Sequence, residues 1–253
     1  MSHCQASAHK NHDSYALLAM IVLRLPMNFI SKALGHGFAL LACLLLTQCS
    51  TIDPARKAAI KKVVVACNVG HEITRHRVGL TVFGNRQLEP VRDARIKAGV
   101  NRILKEEMQG KFPNVVFATE EPPRASPSIF ENVAYVPWAR QLAQKYQADA
   151  VFMVAGRYYY PYAAPSYMTA EGMGIWHLGK VGQVQCYVHT WLVDAQGVGL
   201  GKYMRYMSGQ QIPALEFQEK FADYTPVEQQ RIIDRCLDEF RVEVSGYLKG
   251  IGL

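Results

Sequence analysis

Apolar and polar positions divide residues 61–253 into alternating strands and helices. Lys62–Val69 is an almost continuous apolar, β-branched run, which is typical of a strand covered on both faces. Asp149–Tyr159 has the same character. Val181–Asp194 alternates instead, so its two faces differ. One face is apolar, with Val184, Cys186, Val188 and Leu192, and the other carries Gln185, Tyr187, His189 and Trp191.

Weaker patterns predict three shorter strands. Arg77–Phe83 is expected to pair with the first strand as a hairpin across a turn at Gly70–His76. Asn114–Thr119 is short and apolar, and Gly199–Met207 is expected to return as the partner of Val181–Asp194. Tyr160–Lys180 contains prolines and glycines without periodicity, and its length predicts an irregular, functional insertion.

Helical spacing of apolar residues predicts three helices. The first covers Val91–Gln109, and the second starts near Pro137 and runs to about Gln147. The third starts at Thr225, which forms a capping box with Glu228, and runs nearly to the C terminus. This order predicts an α/β fold: a single mixed sheet packed by two or three helices, with a β-hairpin and a long C-terminal helix. Residues 61–253 are expected to form one domain.

The N-terminal region has the layout of a secretory signal. One positive charge precedes an apolar run at Phe38–Leu46, which is about half the roughly 20 residues of a membrane-spanning helix. Leu46-Thr47-Gln48-Cys49 resembles the lipobox of bacterial lipoproteins, in which the Cys becomes the acylated first residue. The resemblance implies a fatty-acid anchor, such as palmitate, on Cys49. The alternative is an ordinary cleaved signal peptide with an incidental thiol at this position.

The lipoprotein resemblance also implies a location. Residues 1–48 are expected to be a signal peptide preceded by spurious residues, with synthesis starting at Met27, and residues 49–60 to form a tether. Because Ser50 rather than Asp follows the Cys, resemblance to enterobacterial sorting places the protein at the outer membrane, facing the periplasm. Lys57, Lys61 and Lys62 form a basic cluster that would attract anionic headgroups or would simply be a solvated linker face.

Charge and cysteine content exclude some functions. The formal net charge of +7 is spread along the chain, whereas nucleic-acid binding needs a denser basic stripe, so we expect no nucleic-acid partner. Beyond Cys49 there remain Cys67, Cys186 and Cys236, which permit one bridge at most. Their apolar neighbours predict buried free thiols, although a Cys67–Cys186 bridge is chemically possible in an oxidising envelope.

Candidate enzyme motifs fail on spacing. His71 and His76 are five residues apart, whereas a zinc-protease helix needs four, so we expect two exposed turn histidines and no metal. No other motif indicates a cofactor. The candidate carboxylates for hydrolysis are Asp149, Glu171 and Asp194, and nothing in the sequence pairs them. Asp149 and Asp194 are expected to cap or turn at strand ends.

An unusual density of aromatic residues indicates binding. Tyr and Trp combine apolar area with a polar group and are enriched at recognition surfaces. The predicted binding residues lie in the insertion and on the following strand: Tyr160, Tyr162, Tyr167, Trp176, Tyr187, His189 and Trp191. The alternative is that these residues pack in the core.

A resemblance to known envelope proteins bears on function. Ala148-Asp149-Ala150-Val151 before a strand and Leu192-Val193-Asp194-Ala195 in a hairpin resemble the periplasmic α/β domains of the curli-secretion lipoprotein and its relatives. The resemblance implies self-assembly. We therefore expect a lipid-anchored binding or assembly module without catalysis, with an envelope protein or a second copy as partner. The alternative is an envelope hydrolase acting on cell-wall or glycan material, with Asp149, Glu171, Asp194 or His189 in its site.

Overall fold

The structure is a computed structural model. It describes residues 52–79, 84–123, 132–156, 158–159, 170–178, 181–201, 210–212 and 215–253. Cys49, the predicted signal segment, Tyr160, Tyr162 and Tyr167 lie outside the described residues. None of the helices in the described ranges is long and apolar enough to cross a membrane.

Nine strands and four α-helices make up the described part of the chain. The strands are β1 (Lys62–Cys67), β2 (Ile73–Val78), β3 (Arg86–Val91), β4 (Asn114–Phe117), β5 (Ala150–Gly156), β6 (Tyr158–Tyr159), β7 (Ala170–Leu178), β8 (Val181–Asp194) and β9 (Gln210–Ile212). The helices are α1 (Pro54–Ala59), α2 (Ala94–Met108), α3 (Asn132–Tyr146) and α4 (Pro226–Gly250), with a short 3-10 turn at Phe221–Asp223.

The strands form one mixed sheet in the order β3-β2-β7-β8-β5-β1-β4. β1 runs parallel to both of its neighbours, β4 and β5. β8 is antiparallel to β5 and to β7, whereas β7 is parallel to β2, and β2 is antiparallel to the edge strand β3. The α/β prediction with one mixed sheet, a hairpin and a long C-terminal helix is confirmed.

Helices cover the two faces of the sheet unequally. On one face, α2 and α4 pack together over the main core, which includes Ile103, Phe152 and Phe240. On the opposite face, α3 covers the neighbourhood of β1 and β5 through Ala139 and Leu142. The predicted alternation along β8 is confirmed, because its apolar set lies in the main core and Trp191 lies on the α3 side.

The C-terminal helix begins as predicted. The Thr225 hydroxyl accepts a hydrogen bond from the peptide N–H of Glu228, and the Glu228 carboxylate accepts one from the peptide N–H of Thr225, at 3.3 and 2.9 Å. This capping box satisfies two donors that a helix start would leave without partners. The predicted buried stripe of α4 is also found, with Phe240 fully buried.

The start of the chain's second strand was wrongly predicted. β2 begins at Ile73, inside the expected turn, and it pairs with β3 and β7 rather than forming a hairpin with β1. β3 was not predicted, because Pro90 and charged side chains weaken its strand pattern. Proline is tolerated there because β3 lies at the edge of the sheet.

The predicted insertion at 160–180 is also corrected. Residues 170–178 form β7, which makes a hairpin with β8, and Gly172 and Gly174 in this strand gave it the composition of a loop. The expected partner strand at Gly199–Met207 is represented by a single bridge between Val193 and Gly199, and residues 202–209 lie outside the described ranges. α3 starts before Pro137, which lies inside the helix.

The predicted tether at 49–60 contains structure. Residues 54–59 form α1, which Asp53 caps, and the flanking Ile52 and Ile60 are both buried. The peptide N–H of Ile52 donates to the carbonyl of Ile251, so this segment is attached to the end of the chain.

Candidate functional site

A crevice opens at the carboxyl ends of the parallel strands. From β1 the chain first forms β2 and β3, and α2 on one face of the sheet then brings it back to β4, the neighbour of β1. It then leaves β4 and reaches β5, on the other side of β1, through α3 on the opposite face. The segment after β1 lies against α2, since a Cβ on Gly70 would stand 3.1 Å from Val100, whereas the segment after β4 leads to α3 on the opposite face. The two segments diverge, and such a switch point is where ligands bind in open α/β sheets.

One side chain holds the walls of this crevice together. The Asn68 amide donates to the carbonyl of Pro122, at 3.0 Å, and its oxygen accepts from the peptide N–H of Gly156, at 2.8 Å. Asn68 thereby connects the ends of all three parallel strands. The enclosed volume is about 290 Å³.

Four charged or ionisable side chains line the opening, His71, Glu72, Arg92 and Glu121, and Lys97 lies next to them. His71 Nε2 lies 2.7 Å from a Glu121 carboxylate oxygen, and Lys97 Nζ lies 3.6 Å from the same oxygen. Arg92 Nε donates to the Glu72 carboxylate at 3.1 Å. All five side chains are substantially exposed, so they are accessible to a ligand.

Two glycines shape the crevice. Gly70 and Gly172 have φ angles of 106° and 66°, in the region that side-chain-bearing residues rarely adopt. A Cβ on Gly172 would stand 3.6 Å from a methyl group of Val69. Both glycines therefore set the backbone path of the wall.

A cysteine lies beneath the crevice without reactive character. The Cys67 sulfur accepts from the peptide N–H of Val69 at 3.3 Å, and burial raises the pKa of this thiol to about 12. The thiol stays protonated near neutral pH, so it is a poor nucleophile. Cys67, Cys186 and Cys236 are free thiols, as predicted.

The carboxylates considered for hydrolysis lie elsewhere. Asp149 accepts from the peptide N–H groups of Lys61 and Lys62, both at 2.8 Å, which fixes the start of β1. Asp194 accepts from the peptide N–H groups of Gln196 and Val198 in the turn after β8. The prediction that both aspartates cap strand ends is confirmed. Glu171 lies on β7.

The aromatic candidates divide into two groups. Trp176 and Tyr187 are 6% and 3% exposed and share a small buried cluster, in which the Trp176 ring stacks on His76 at 4.8 Å between centroids. His189 and Trp191 are half-buried and pack against Tyr135 of α3, at 6.2 and 6.0 Å. These contacts are packing within the domain, and a binding role for the four residues stays a prediction.

The two histidines of the zinc-like motif are separated by the fold. His71 is exposed in the crevice, but His76 is fully buried on β2, so the expectation of two exposed turn histidines is wrong for His76. His76 is buried because both faces of β2 are covered from Ile73 to His76, and the predicted turn left this part of the strand unrecognised. In the described ranges, no group of three or more His, Cys, Asp and Glu side chains could hold a metal ion.

Sequence reasoning missed the crevice. Asn68, Glu72, Arg92 and Glu121 were not singled out, although Asn68 directly follows an apolar strand and Glu121 follows another. Polar residues at the carboxyl ends of parallel strands are the signal that could have found Asn68 and Glu121. Glu72 precedes β2 and Arg92 follows the antiparallel strand β3, so this signal does not apply to them. Compared with known proteins, the sequence matches no family model and none of the curated proteins.

Proposed function

We propose that the protein is a lipid-anchored cell-envelope module that binds a ligand or partner and performs no catalysis. The observation that carries the proposal is the crevice at the switch point. Its charged side chains form ion pairs with one another across a fixed frame, which suits recognition. An envelope protein or a second copy of the chain remains a proposed partner of the predicted aromatic segment.

The surroundings of the candidate catalytic groups, Asp149, Asp194 and Cys67, support a binding role. Asp149 and Asp194 are each engaged by two peptide N–H groups at strand ends. The Cys67 thiol next to the crevice is protonated, because desolvation raises its pKa to about 12. Covalent hydrolysis requires a nucleophile that a neighbouring base activates. Asp149, Asp194 and Cys67 do not form such a pair.

Anchoring through Cys49 completes the proposal. Because Ile52 and Ile60, which flank α1, are buried in the domain, a lipid on Cys49 would hold the domain directly at the membrane surface, which we propose is the outer membrane facing the periplasm. Replacing Cys49 by Ser should abolish labelling by a fatty-acid probe and release the protein from membranes. Labelling that persists in this variant would contradict the anchor.

A hydrolase is the second candidate, because one observation favours it. The His71 imidazole and the Glu121 carboxylate are 2.7 Å apart in the crevice, which is the arrangement of a general base oriented by a carboxylate. Such a pair could activate water. The experiment must therefore separate binding from turnover.

The full-length acylated protein should be incubated with soluble fragments of cell wall and glycan. A binding module raises its own melting temperature while the masses of the fragments stay unchanged. New products that appear with the wild type and disappear with His71→Ala would overturn the non-catalytic proposal and establish the hydrolase. His76→Gln is not suited as a control, because His76 is buried, whereas Glu89→Gln changes an exposed residue outside the crevice.

A further inference from the structure

The charges around the crevice balance. Two carboxylates, Glu72 and Glu121, pair with two permanent cations, Arg92 and Lys97, and the imidazole of His71 also contacts Glu121. The two ion pairs come from different segments. Glu72 precedes β2 and Arg92 follows β3, whereas Glu121 follows β4.

These ion pairs are open to exchange. The side chains of Arg92 and Glu72 are 72% and 39% exposed, and those of His71 and Glu121 are 48% and 43% exposed. Ion pairs in such positions contribute little to stability, because water screens them and ordering long side chains is unfavourable. A ligand can therefore replace one partner of each pair at little loss to the fold.

The balance restricts the class of ligand. An anion bound at Arg92 lies beside the Glu72 carboxylate and is repelled by it, and a cation bound at Glu121 lies beside the Lys97 ammonium and is repelled by it. A ligand with both charges pairs with one group of each sign and leaves the total charge balanced. We propose that the crevice binds a small zwitterion: an amino acid or a short peptide with free amino and carboxyl ends.

In this arrangement the ligand ammonium pairs with Glu121, and the ligand carboxylate pairs with Arg92. The volume of about 290 Å³ lies at the small end of ligand pockets, which suits one or two amino-acid residues. The hydrogen bonds of Asn68 fix the walls before binding, which lowers the entropic cost of ordering the site. The inference rests on the proposed binding function.

Calorimetric titration of the full-length protein with three dipeptides tests the inference. The probes are alanyl-alanine, its N-acetyl derivative and its C-terminal amide. We expect alanyl-alanine to bind, and each blocked form to bind at least about tenfold more weakly, because each has lost one charge.

Variants assign the two ends. Glu121→Gln should weaken binding of alanyl-alanine about tenfold, yet change little for the N-acetyl form, which has no ammonium to lose. Arg92→Gln should also weaken binding of alanyl-alanine about tenfold, yet change little for the C-terminal amide, which has no carboxylate to lose. Glu89→Gln, an exposed carboxylate of β3 that does not line the crevice, is the matched control and should bind like the wild type.

Two results would overturn the inference. One is that the blocked dipeptides bind as tightly as the free one, which would mean that charge pairing does not select the ligand. The other is that no dipeptide binds at millimolar concentration. In both cases the binding function is judged separately, by the response of the melting temperature to cell-wall fragments.

Discussion

The two halves of the sheet bury different kinds of side chain. In the half formed by β5, β1 and β4, helices cover both faces, and the buried strand positions are apolar, as at Val64, Val151 and Phe152. In the half formed by β3, β2 and β7, the fully buried positions include Arg75, His76 and His177. The first half buries apolar side chains, whereas the second buries polar side chains among apolar ones, and the polar ones require specific partners.

Those partners can be identified for two of the three polar residues. The Arg75 guanidinium donates to the carbonyls of Gln218 and Glu219, at 2.6 and 3.1 Å. His177 shares a hydrogen bond with the Tyr224 hydroxyl, at 3.2 Å. Both nitrogens of His76 are buried without a hydrogen-bond partner in the described ranges. The second half is therefore stabilised by a segment distant in sequence, and it should be the more sensitive half to pH.

The largest expected effect lies in the apolar half. Phe152 in β5 is fully buried and packs near the Tyr247 ring of α4. Phe152→Ala should lower the free energy of unfolding by about 3–5 kcal/mol, because it leaves a cavity beneath the helix. Denaturant unfolding measures this change, with the exposed Val227→Ala as the control. A loss below about 1 kcal/mol would mean that this half is not the rigid core.

Acid should act on the polar half. Burial lowers the pKa of His76 to about 4, and burial together with the Arg75 charge lowers that of His177 to about 4. Between pH 6.5 and 4 the two histidines are protonated in the unfolded chain but stay neutral in the folded chain. Stability is therefore highest above pH 6.5 and falls as the pH drops to 4, by up to about 3 kcal/mol for each histidine.

The histidine effect can be isolated by its pH range. His76→Phe should reduce the fall in unfolding free energy between pH 6.5 and 4, whatever it does to absolute stability. Hydrogen bonds from Lys145 and Tyr146 lower the pKa of Glu120 to about 2. Protonation of this carboxylate therefore lowers the stability only below pH 4.5, mostly outside the range in which the histidines are protonated. Equal slopes for the variant and the wild type would contradict a buried, neutral His76.

A buried charge provides a test of intermediate size. Arg75→Met removes both hydrogen bonds to the carbonyls of residues 218 and 219, and it should lower stability by about 1–3 kcal/mol. Hydrogen exchange should also become faster in the segment around Glu219. Arg77→Met is the matched control, because Arg77 lies on the same face of β2 but is exposed, with an expected change below about 0.5 kcal/mol. Equal losses in both variants would remove the distinction.

The same contrast explains what the sequence could predict. β1 and β5 were found because strands buried on both faces by helices must be apolar along their whole length. The start of β2 was placed too late along the chain, because the burial of Arg75 depends on the carbonyls of residues 218 and 219. A local sequence pattern does not contain that information. β7 was missed because Gly172 and Gly174 gave it the composition of a loop.

The candidate site was less predictable than the fold. Aromatic density drew attention to Trp176 and Tyr187, which the structure buries. The crevice depends on Glu72 meeting Arg92 and on His71 meeting Glu121, and both pairings arise only when the strand ends are brought together. Single charged residues in loops give no sign of such pairing.

The smallest effect on stability is expected at the crevice. Glu121→Gln removes an exposed carboxylate from His71 and Lys97, and the loss should stay below about 0.5 kcal/mol. A double-mutant cycle with Lys97→Met measures the coupling between the two side chains without the background of each single change.

A small coupling would separate this site from both halves of the sheet, because its charges would then be dispensable for folding and available to a ligand. A coupling well above about 1 kcal/mol would instead mean that Glu121 holds the segment after β4 against α2. The charge pattern would then be explained by folding, and the argument for a zwitterionic ligand would lose its basis.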